Sequence, residues 1–264
     1  MRLHVLASGS KGNAAIVENM ATGDGLLIDC GICKRDFLSR CDEAGFDPHQ
    51  LRGVLITHEH TDHTKGLGVV YRALAKLDVH PTVYVSDAVR DASRDIGELL
   101  EQGLCDAHAF ASGDELDLAG FAIHAFATSH DAAQSFGFRV ECGGDAIGYM
   151  TDTGVVMPQA HEALGGCRLL AIEANHDRTM LAEGPYPYPL KRRIASERGH
   201  LSNEQSAAEL AGLLHDGLAA VVAMHVSENN NDYELPVATL RKALACEGHG
   251  AAVHVARQRS LVSI

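Results

Sequence analysis

The segment THEHTDH at residues 57–63 constrains this chain more than any other part of its sequence. It continues the apolar run GVLITH, which is typical of a buried strand. The segment supplies three histidines and one aspartate within six positions: His58, His60, Asp62 and His63. In an extended turn, residues two apart point the same way, so the first two can bind one metal ion while the last two face a second. Imidazole and carboxylate ligands suit Zn²⁺ or Mn²⁺ without a thiolate, so we predict a site for divalent metals here.

Short apolar runs alternate with amphipathic segments along the rest of the chain, which favours an α/β fold. The apolar runs predict strands at 2–8, 14–18, 25–30, 53–58, 82–86, 121–129, 135–142, 146–152, 168–175, 219–225 and 251–257. Helices are predicted near 33–44, 65–77 and 87–103, and another after a capping box formed by Ser202 and Gln205. Two β-rich halves with helices outside them favour an αβ/βα sandwich. One domain spanning 1–264 is expected rather than two small ones.

Composition limits where the chain works and what it binds. It begins without the apolar run of a signal peptide and has no run long enough to span a membrane, so we expect a cytoplasmic protein with no membrane partner. Seven cysteines without a framework pattern indicate reduced thiols. Cys30 and Cys33 form either a redox motif or, as we favour, two small apolar residues at a strand-to-helix turn. The formal net charge of −13 gives no overall attraction for nucleic acid, so any phosphodiester must be bound locally.

The pattern H-x-H-x-D-H at 58–63 resembles the signature of the metallo-β-lactamase-fold hydrolases. The resemblance implies a four-layer αβ/βα sandwich with two divalent metal ions, Zn or Mn, bound at the ends of successive strands. By the same resemblance, His130 completes the first metal site, Asp152 bridges both metals, and His225 completes the second site. Asp29 matches an aspartate that supports the histidine loop from behind the ligands.

The segments EANHD and GHLSN narrow the resemblance to the phosphodiesterase branch of that family. In this branch a strand-end glutamate and a later histidine form a dyad beside the metals. The resemblance therefore assigns Glu173 to orient His200, and His200 to protonate the leaving oxygen. A histidine suits this task because imidazole exchanges protons near neutral pH. Asp62 is assigned to catalysis as well as to the second metal, and a hydroxide shared by the metals is expected to attack phosphorus.

Spacing makes this assignment more specific. From His130 to Asp152 is 22 residues and from Asp152 to His200 is 48, too short for the tRNA-binding arm or the large inserted domain of related nucleases. The segments SGSKGN, YMTDTG and HVSENNN, together with those above, resemble the YycJ/WalJ-type proteins, bacterial hydrolases associated with exonuclease action on DNA. The expected partner is nucleic acid, with DNA favoured, or another phosphodiester.

Candidate substrate contacts come mainly from three segments. The basic segment 184–203 holds lysines and arginines that either contact phosphates or form a solvated helix face. Its tyrosines either stack on a nucleobase or pack against the protein. The SGSKGN loop either binds an anion or forms a plain hairpin turn, and SENNN either contacts substrate or forms a surface turn. The candidates are Ser8, Ser10, Lys11, Asn13, His176, Tyr186, Lys191, Arg192, Arg193 and Asn229.

Two other functions fit the same motifs. One is a small-molecule hydrolase for a cyclic phosphodiester, a thioester or a lactone, and the other is a non-catalytic metal-binding module. Asp152 stands where zinc β-lactamases have a cysteine, and ATSH stands where thioesterases and lactonases usually have TPGH. Both departures favour the phosphodiesterase.

Overall fold

Fourteen strands form two seven-stranded sheets in the computed structural model, which describes all 264 residues. The first sheet contains β1 (Arg2–Ala7), β2 (Ala14–Glu18), β3 (Gly25–Ile28), β4 (Leu51–Leu55), β5 (Thr82–Val85), β6 (Ala107–Ala109) and β14 (Val262–Ser263). Its strand order is β14-β1-β2-β3-β4-β5-β6. The second sheet contains β7 (Glu115–Leu118), β8 (Phe121–Ala127), β9 (Phe136–Cys142), β10 (Asp145–Met150), β11 (Leu169–Glu173), β12 (Ala220–Met224) and β13 (Ala252–Val255). Its order runs from β13 through β12, β11, β10, β9 and β8 to β7.

Ten α-helices and one 3₁₀ turn at Pro48–Gln50 connect these strands. The helices are α1 (Lys34–Ala44), α2 (Thr61–Thr64), α3 (Leu67–Ala75), α4 (Asp87–Ala92), α5 (Arg94–Glu101), α6 (Pro158–Leu164), α7 (Arg178–Glu183), α8 (Tyr188–Ile194), α9 (Asn203–Gly212) and α10 (Glu234–Cys246). None of them is both long enough and apolar enough to cross a membrane.

Alternation along the strands of the second sheet places it between two apolar layers. A buried cluster of 46 residues includes Ala220, Val222 and Met224 of β12. The cluster also includes side chains from both sheets and from helices α1, α3 and α5. Val221 and Ala223 belong to a second cluster of 21 residues, packed with α6, α9 and α10. Successive strand residues point to opposite faces, so this strand is buried on both. The layers confirm the predicted αβ/βα sandwich.

Parallel pairing brings several strand ends to one edge of each sheet. Strands β3, β4 and β5 are parallel, and so are β10, β11, β12 and β13. Strand β8 runs in the same direction as β10, because both are antiparallel to β9. The residues that follow these strands therefore lie at the carboxyl ends of the strands, on one side of the sandwich. This is the usual place for ligands in such sheets.

All eleven predicted strands are present, with most ends trimmed, and three short strands (β6, β7 and β14) were not predicted. The prediction of one continuous helix at 87–103 is wrong, because this segment forms the two helices α4 and α5. The segment divides at Ser93, whose backbone is extended and whose side-chain hydroxyl caps α5 by accepting a hydrogen bond from the amide of Ile96. The predicted capping box of Ser202 and Gln205 is confirmed at the start of α9. Helix α10 was missed, although its Pro236 lies in the first turn, where a missing N–H costs nothing.

Candidate metal centre

Three expected site residues share an unusual backbone conformation directly after a strand. Asp29, Asp152 and His225 follow β3, β10 and β12 with φ angles of 57°, 54° and 52°. A left-handed backbone is uncommon for residues other than glycine and costs about 1–3 kcal/mol at such positions. The chain adopts it here where each strand stops and the side chain enters the shared edge of the sheets.

The first group of side chains that could hold a metal ion consists of three histidines. Ring nitrogens of His58, His60 and His130 all lie within 4.8 Å of one another. Nδ1 of His130 donates to the carbonyl of Gly199, 3.1 Å away, which leaves Nε2 facing His60 at 3.3 Å. Nε2 of His58 is buried without a hydrogen-bond partner. Burial, with the neighbouring histidines, holds the pKa of His58 well below its usual value, so its ring stays neutral and able to bind a metal.

The second group lies beside the first. Ligand atoms of Asp62, His63 and His225 also lie within 4.8 Å of one another, the first two residues being in the single turn of α2. Nε2 of His225 is buried without a hydrogen-bond partner and lies 3.5 Å from Oδ2 of Asp62. Burial lowers the pKa of His63, but the surrounding carboxylates, Asp152 foremost, outweigh it and raise the pKa to about 9. A cation at this place would take over the balancing of those negative charges.

Asp152 lies between the two groups. Its Oδ1 is 3.7 Å from Nε2 of His130 and 3.7 Å from Nε2 of His225, while its Oδ2 is 3.3 Å from Nε2 of His63. Burial raises the pKa of this carboxyl, but the histidines around it lower the pKa by more than burial raises it. The carboxyl is therefore ionised. One buried carboxylate therefore lies beside both histidine groups.

Asp29 supports the histidine loop from beneath. It is fully buried, and its oxygens accept hydrogen bonds from the amide and the hydroxyl of Thr57, each 2.8 Å long. Nδ1 of His63 donates to Oδ2 of Asp29 at 2.7 Å. This contact fixes the tautomer of His63 and leaves Nε2 for the metal side, as carboxylates behind metal-bound histidines do.

Glu173 and His200 form a close pair at the edge of the same cluster. Nδ1 of His200 donates to Oε1 of Glu173 at 2.7 Å. The other oxygen accepts the amides of Thr153 at 2.9 Å and Leu201 at 3.2 Å. Burial raises the pKa of the Glu173 carboxyl, but the adjacent His200 and His225 lower it well below its usual range. The buried carboxylate is thus held ionised beside a half-buried imidazole.

A pocket of about 260 Å³ opens over these residues. Of the predicted substrate contacts, Ser10, Tyr186 and Arg193 line it together with the histidines and aspartates. The guanidinium of Arg193 forms an ion pair with Asp131 on the pocket wall. The basic segment therefore does reach the site, through one face of α8.

Three of the predicted substrate contacts are buried and lie outside the pocket lining. The hydroxyl of Ser8 is buried and accepts the backbone N–H of His225 at 2.7 Å. Asn13 is buried behind the ligands, with Nδ2 3.0 Å from Nε2 of His63. His176 is buried in an isolated bridge to Ser202, and burial lowers its pKa to about 4. These side chains hold the site together from behind.

Four other candidates, three of them exposed and Lys191 partly buried, also lie outside the pocket lining. Lys11 is paired with Glu228 at 2.5 Å, and Nζ of Lys191 donates to the carbonyl of Ala182. Arg192 is exposed on α8 and is not part of the lining. Asn229 donates to the hydroxyl of Tyr186 at 2.8 Å, so it acts on the pocket only through that tyrosine. Lys191 and Arg192 therefore lie on α8 outside the pocket lining, and a role for them in substrate binding stays a prediction.

The sequence did not indicate six of the residues that line the pocket, and Asp131 and Asn175 are the two whose side chains contact predicted ligands. Asp131 follows His130 directly, and its Oδ1 is buried without a hydrogen-bond partner, 3.5 Å from Nε2 of that histidine. Asn175 donates to the carbonyl of His225 at 2.8 Å and also lines the pocket. Adjacency to a predicted ligand was the available signal for Asp131, and the EANHD segment was the signal for Asn175.

The layered sheets and the histidine and carboxylate cluster at their shared edge define the class of this protein. It is a metal-dependent hydrolase with the metallo-β-lactamase fold. The cluster contains two neighbouring groups of three His or Asp side chains, His58, His60 and His130 in one and Asp62, His63 and His225 in the other, each able to hold a cation.

Comparison with known proteins agrees with this class. A family model described as the beta-lactamase superfamily domain matches residues 25–226. The exodeoxyribonuclease YycJ of Bacillus anthracis is 33% identical over 253 residues, which are 95% of this chain and 92% of that protein. The exodeoxyribonuclease WalJ of Streptococcus pneumoniae is 32% identical over 249 residues, covering 94% and 90%. The crystal structure of the metallo-beta-lactamase fold protein YhfI from Bacillus subtilis has a TM-score of 0.72 at 18% identity, covering 100% and 99%.

The chain belongs to the metallo-β-lactamase superfamily, and its resemblance to the YycJ/WalJ-type proteins is confirmed.

Proposed function

We propose that this protein is a dinuclear metal-dependent phosphodiesterase that removes nucleotides from an end of DNA. The observation that carries the proposal is the Glu173–His200 pair, 2.7 Å apart, beside the carboxylate of Asp152. A phosphodiesterase must protonate a departing alkoxide, and this pair supplies a proton donor at the place where phosphorus would bind. The relatives YycJ and WalJ are named exodeoxyribonucleases, which supports DNA as the substrate.

The donor set fits two divalent cations. Two imidazole nitrogens, Nε2 of His58 and Nε2 of His225, are buried without hydrogen-bond partners, which is costly unless a ligand occupies them. We assign His58, His60, His130 and Asp152 to one cation, and Asp62, His63, His225 and Asp152 to the other. Bound there, divalent cations lower the pKa of water and polarise phosphoryl oxygens. Because both sheets supply ligands, we also propose that residues 1–264 act as one domain.

His200 and Glu173 supply the proton for the leaving group. The 2.7 Å hydrogen bond from Nδ1 to Oε1 fixes the ring orientation and leaves Nε2 to carry the transferred proton. The ionised carboxylate stabilises the imidazolium, and backbone amides hold that carboxylate in place on its other side. Transfer of the proton from Nε2 to the departing oxygen leaves a neutral imidazole that solvent reprotonates.

The walls of the pocket favour a strand end over a continuous strand. Its volume, about 260 Å³, is slightly below that of typical ligand pockets, roughly 300–1,000 Å³, so we expect it to take a short terminal segment of a strand. The guanidinium of Arg193, although paired with Asp131, has further N–H groups that can bind a phosphate, and the ring of Tyr186 offers a surface for a base. In a chain of net charge −13, these contacts confine the nucleic acid to one opening.

A substrate comparison tests the proposal. Purified protein is assayed with Zn²⁺ or Mn²⁺ on end-labelled single- and double-stranded DNA, on bis-p-nitrophenyl phosphate and on a thioester. We expect release of the terminal label and cleavage of the nitrophenyl ester, both lost in Asp152→Asn. Turnover of the thioester alone would refute the phosphodiesterase, and two bound metals without turnover of any substrate would indicate a binding module.

A further inference from the structure

A groove of about 660 Å³ lies between α1 and α3, away from the metal pocket. Its floor is aliphatic and includes Leu38, Val69, Ala73 and Leu77. Val69 is 39% exposed and Leu77 is 37% exposed, which places both among the few large apolar side chains that face solvent in this chain. Exposed apolar side chains that lie together on a concave surface mark a site of interaction.

The rim of the groove is basic. Lys34, Arg35, Arg72 and Lys76 line it, and no acidic residue does. Arg35 pairs with the adjacent Asp36, whereas the other three bases have no carboxylate partner, and Arg72 bonds only the amide oxygen of Gln102. Acidic residues outnumber basic ones by 35 to 22 in this chain, so basic residues that remain unpaired together are a local feature with its own consequence.

We propose that the groove between α1 and α3 is a docking site for an acidic segment of a partner protein that carries aliphatic side chains. Carboxylates of the segment pair with the basic rim, and its aliphatic side chains cover the floor. An amphipathic helix laid between two helices presents both groups at helical spacing. The proposal does not depend on the hydrolase reaction, because no residue of the groove lines the metal pocket.

The composition of the floor favours a peptide over nucleic acid. Nucleic acid would pair its phosphates with the rim, but it has no aliphatic groups to cover Leu38, Val69 and Leu77. Proteins that bind single-stranded nucleic acid without sequence preference use aromatic rings on which the nucleobases stack. No aromatic residue lines this groove. Burying the aliphatic floor requires an aliphatic partner, which a peptide supplies.

Binding is measured by fluorescence anisotropy with the full chain and three labelled probes. The first is an acidic peptide of about a dozen residues with leucines at helical spacing. The second has the same charges with serine in place of leucine, and the third is oligothymidylate. The protein variants are Lys76→Glu on the rim, Leu77→Ser on the floor, and Lys242→Glu on α10. The last makes the same charge change on an exposed helix outside the groove.

We expect saturable binding of the leucine peptide, weakened at least about tenfold by Lys76→Glu and by Leu77→Ser but unchanged by Lys242→Glu. Hydrolase activity should be the same in all three variants. Failure of the leucine peptide to bind, equal binding of the serine peptide, or equal weakening by Lys242→Glu would each overturn the proposal. If instead the groove variants weakened oligothymidylate binding, the groove would belong to nucleic acid and the proposal would be wrong.

Discussion

Replacing Glu173 by glutamine tests the proton-donor role of His200 with little change in shape. The amide can turn its oxygen either toward His200 or toward the two backbone N–H groups of Thr153 and Leu201. Turning the NH₂ group toward those amides would leave two buried donors unpaired, at roughly 1–3 kcal/mol each. The amide oxygen therefore stays with the backbone, and the NH₂ group faces Nδ1 of His200.

That orientation reverses the role of Nδ1 of His200 in its hydrogen bond. Nδ1 of His200 must then accept a hydrogen bond, so the ring is held neutral and its imidazolium loses the carboxylate that stabilised it. We expect kcat on DNA to fall by about 10²–10⁴, the usual contribution of a general acid, which is roughly 3–5 kcal/mol. His200→Ala should lose a similar amount, and the double variant with Glu173→Gln should lose little more, because the two residues act as one unit.

The assay compares two leaving groups in single-turnover reactions. The alkoxide of a nucleoside needs a proton to depart, whereas p-nitrophenolate does not. The loss of rate in Glu173→Gln and His200→Ala should therefore largely disappear when the substrate is bis-p-nitrophenyl phosphate. The control is His124→Ala, which removes a histidine from a similar pair, Nδ1 to Glu115 at 2.7 Å, on the second sheet outside the metal pocket. Equal losses on both substrates would refute the reasoning, since His200 would then act on something other than the leaving oxygen.

Three further predictions concern the metal cluster and its support. Asp152→Asn should keep the fold but lose metal from both positions, as measured by dialysis and metal analysis; full retention of metal would contradict the bridging role. Ser8→Ala removes the buried acceptor of the His225 N–H and should lower the free energy of unfolding by about 1–3 kcal/mol in urea, and an unchanged midpoint would contradict this. His63, with its pKa raised to about 9, carries a proton at neutral pH that a cation must displace. Zinc binding should therefore release protons and strengthen as pH rises toward 9, and pH-independent affinity would contradict it.

The sequence predicted the parts of this molecule that depend on local pattern. Strand alternation placed His58 and Asp152 at strand ends, and the family resemblance paired Glu173 with His200, which the fold then brings to 2.7 Å. Burial depends on segments distant in sequence, so a local pattern does not show which single residues are covered. Ser8 is covered because its hydroxyl meets a backbone amide 217 residues away, and no local pattern records that contact.

Helix α8 shows the same limit in another form. Its basic residues are adjacent in sequence, but the turn of a helix separates neighbours by about 100°, so only some can face the pocket. Arg193 does, and Arg192 does not. The basic segment indicated that charge would reach the site, but the choice of residue required the orientation of the helix.

The most direct test of the central claim is to add metal stepwise to metal-free protein while following release of the terminal label from 5′- and 3′-labelled DNA. The account predicts that activity reaches its maximum at about two equivalents of Zn²⁺ or Mn²⁺ per chain, since Asp152 contacts both histidine groups. Full activity with one equivalent, or without added metal, would contradict a dinuclear centre, and internal cleavage without label release would contradict an exonuclease.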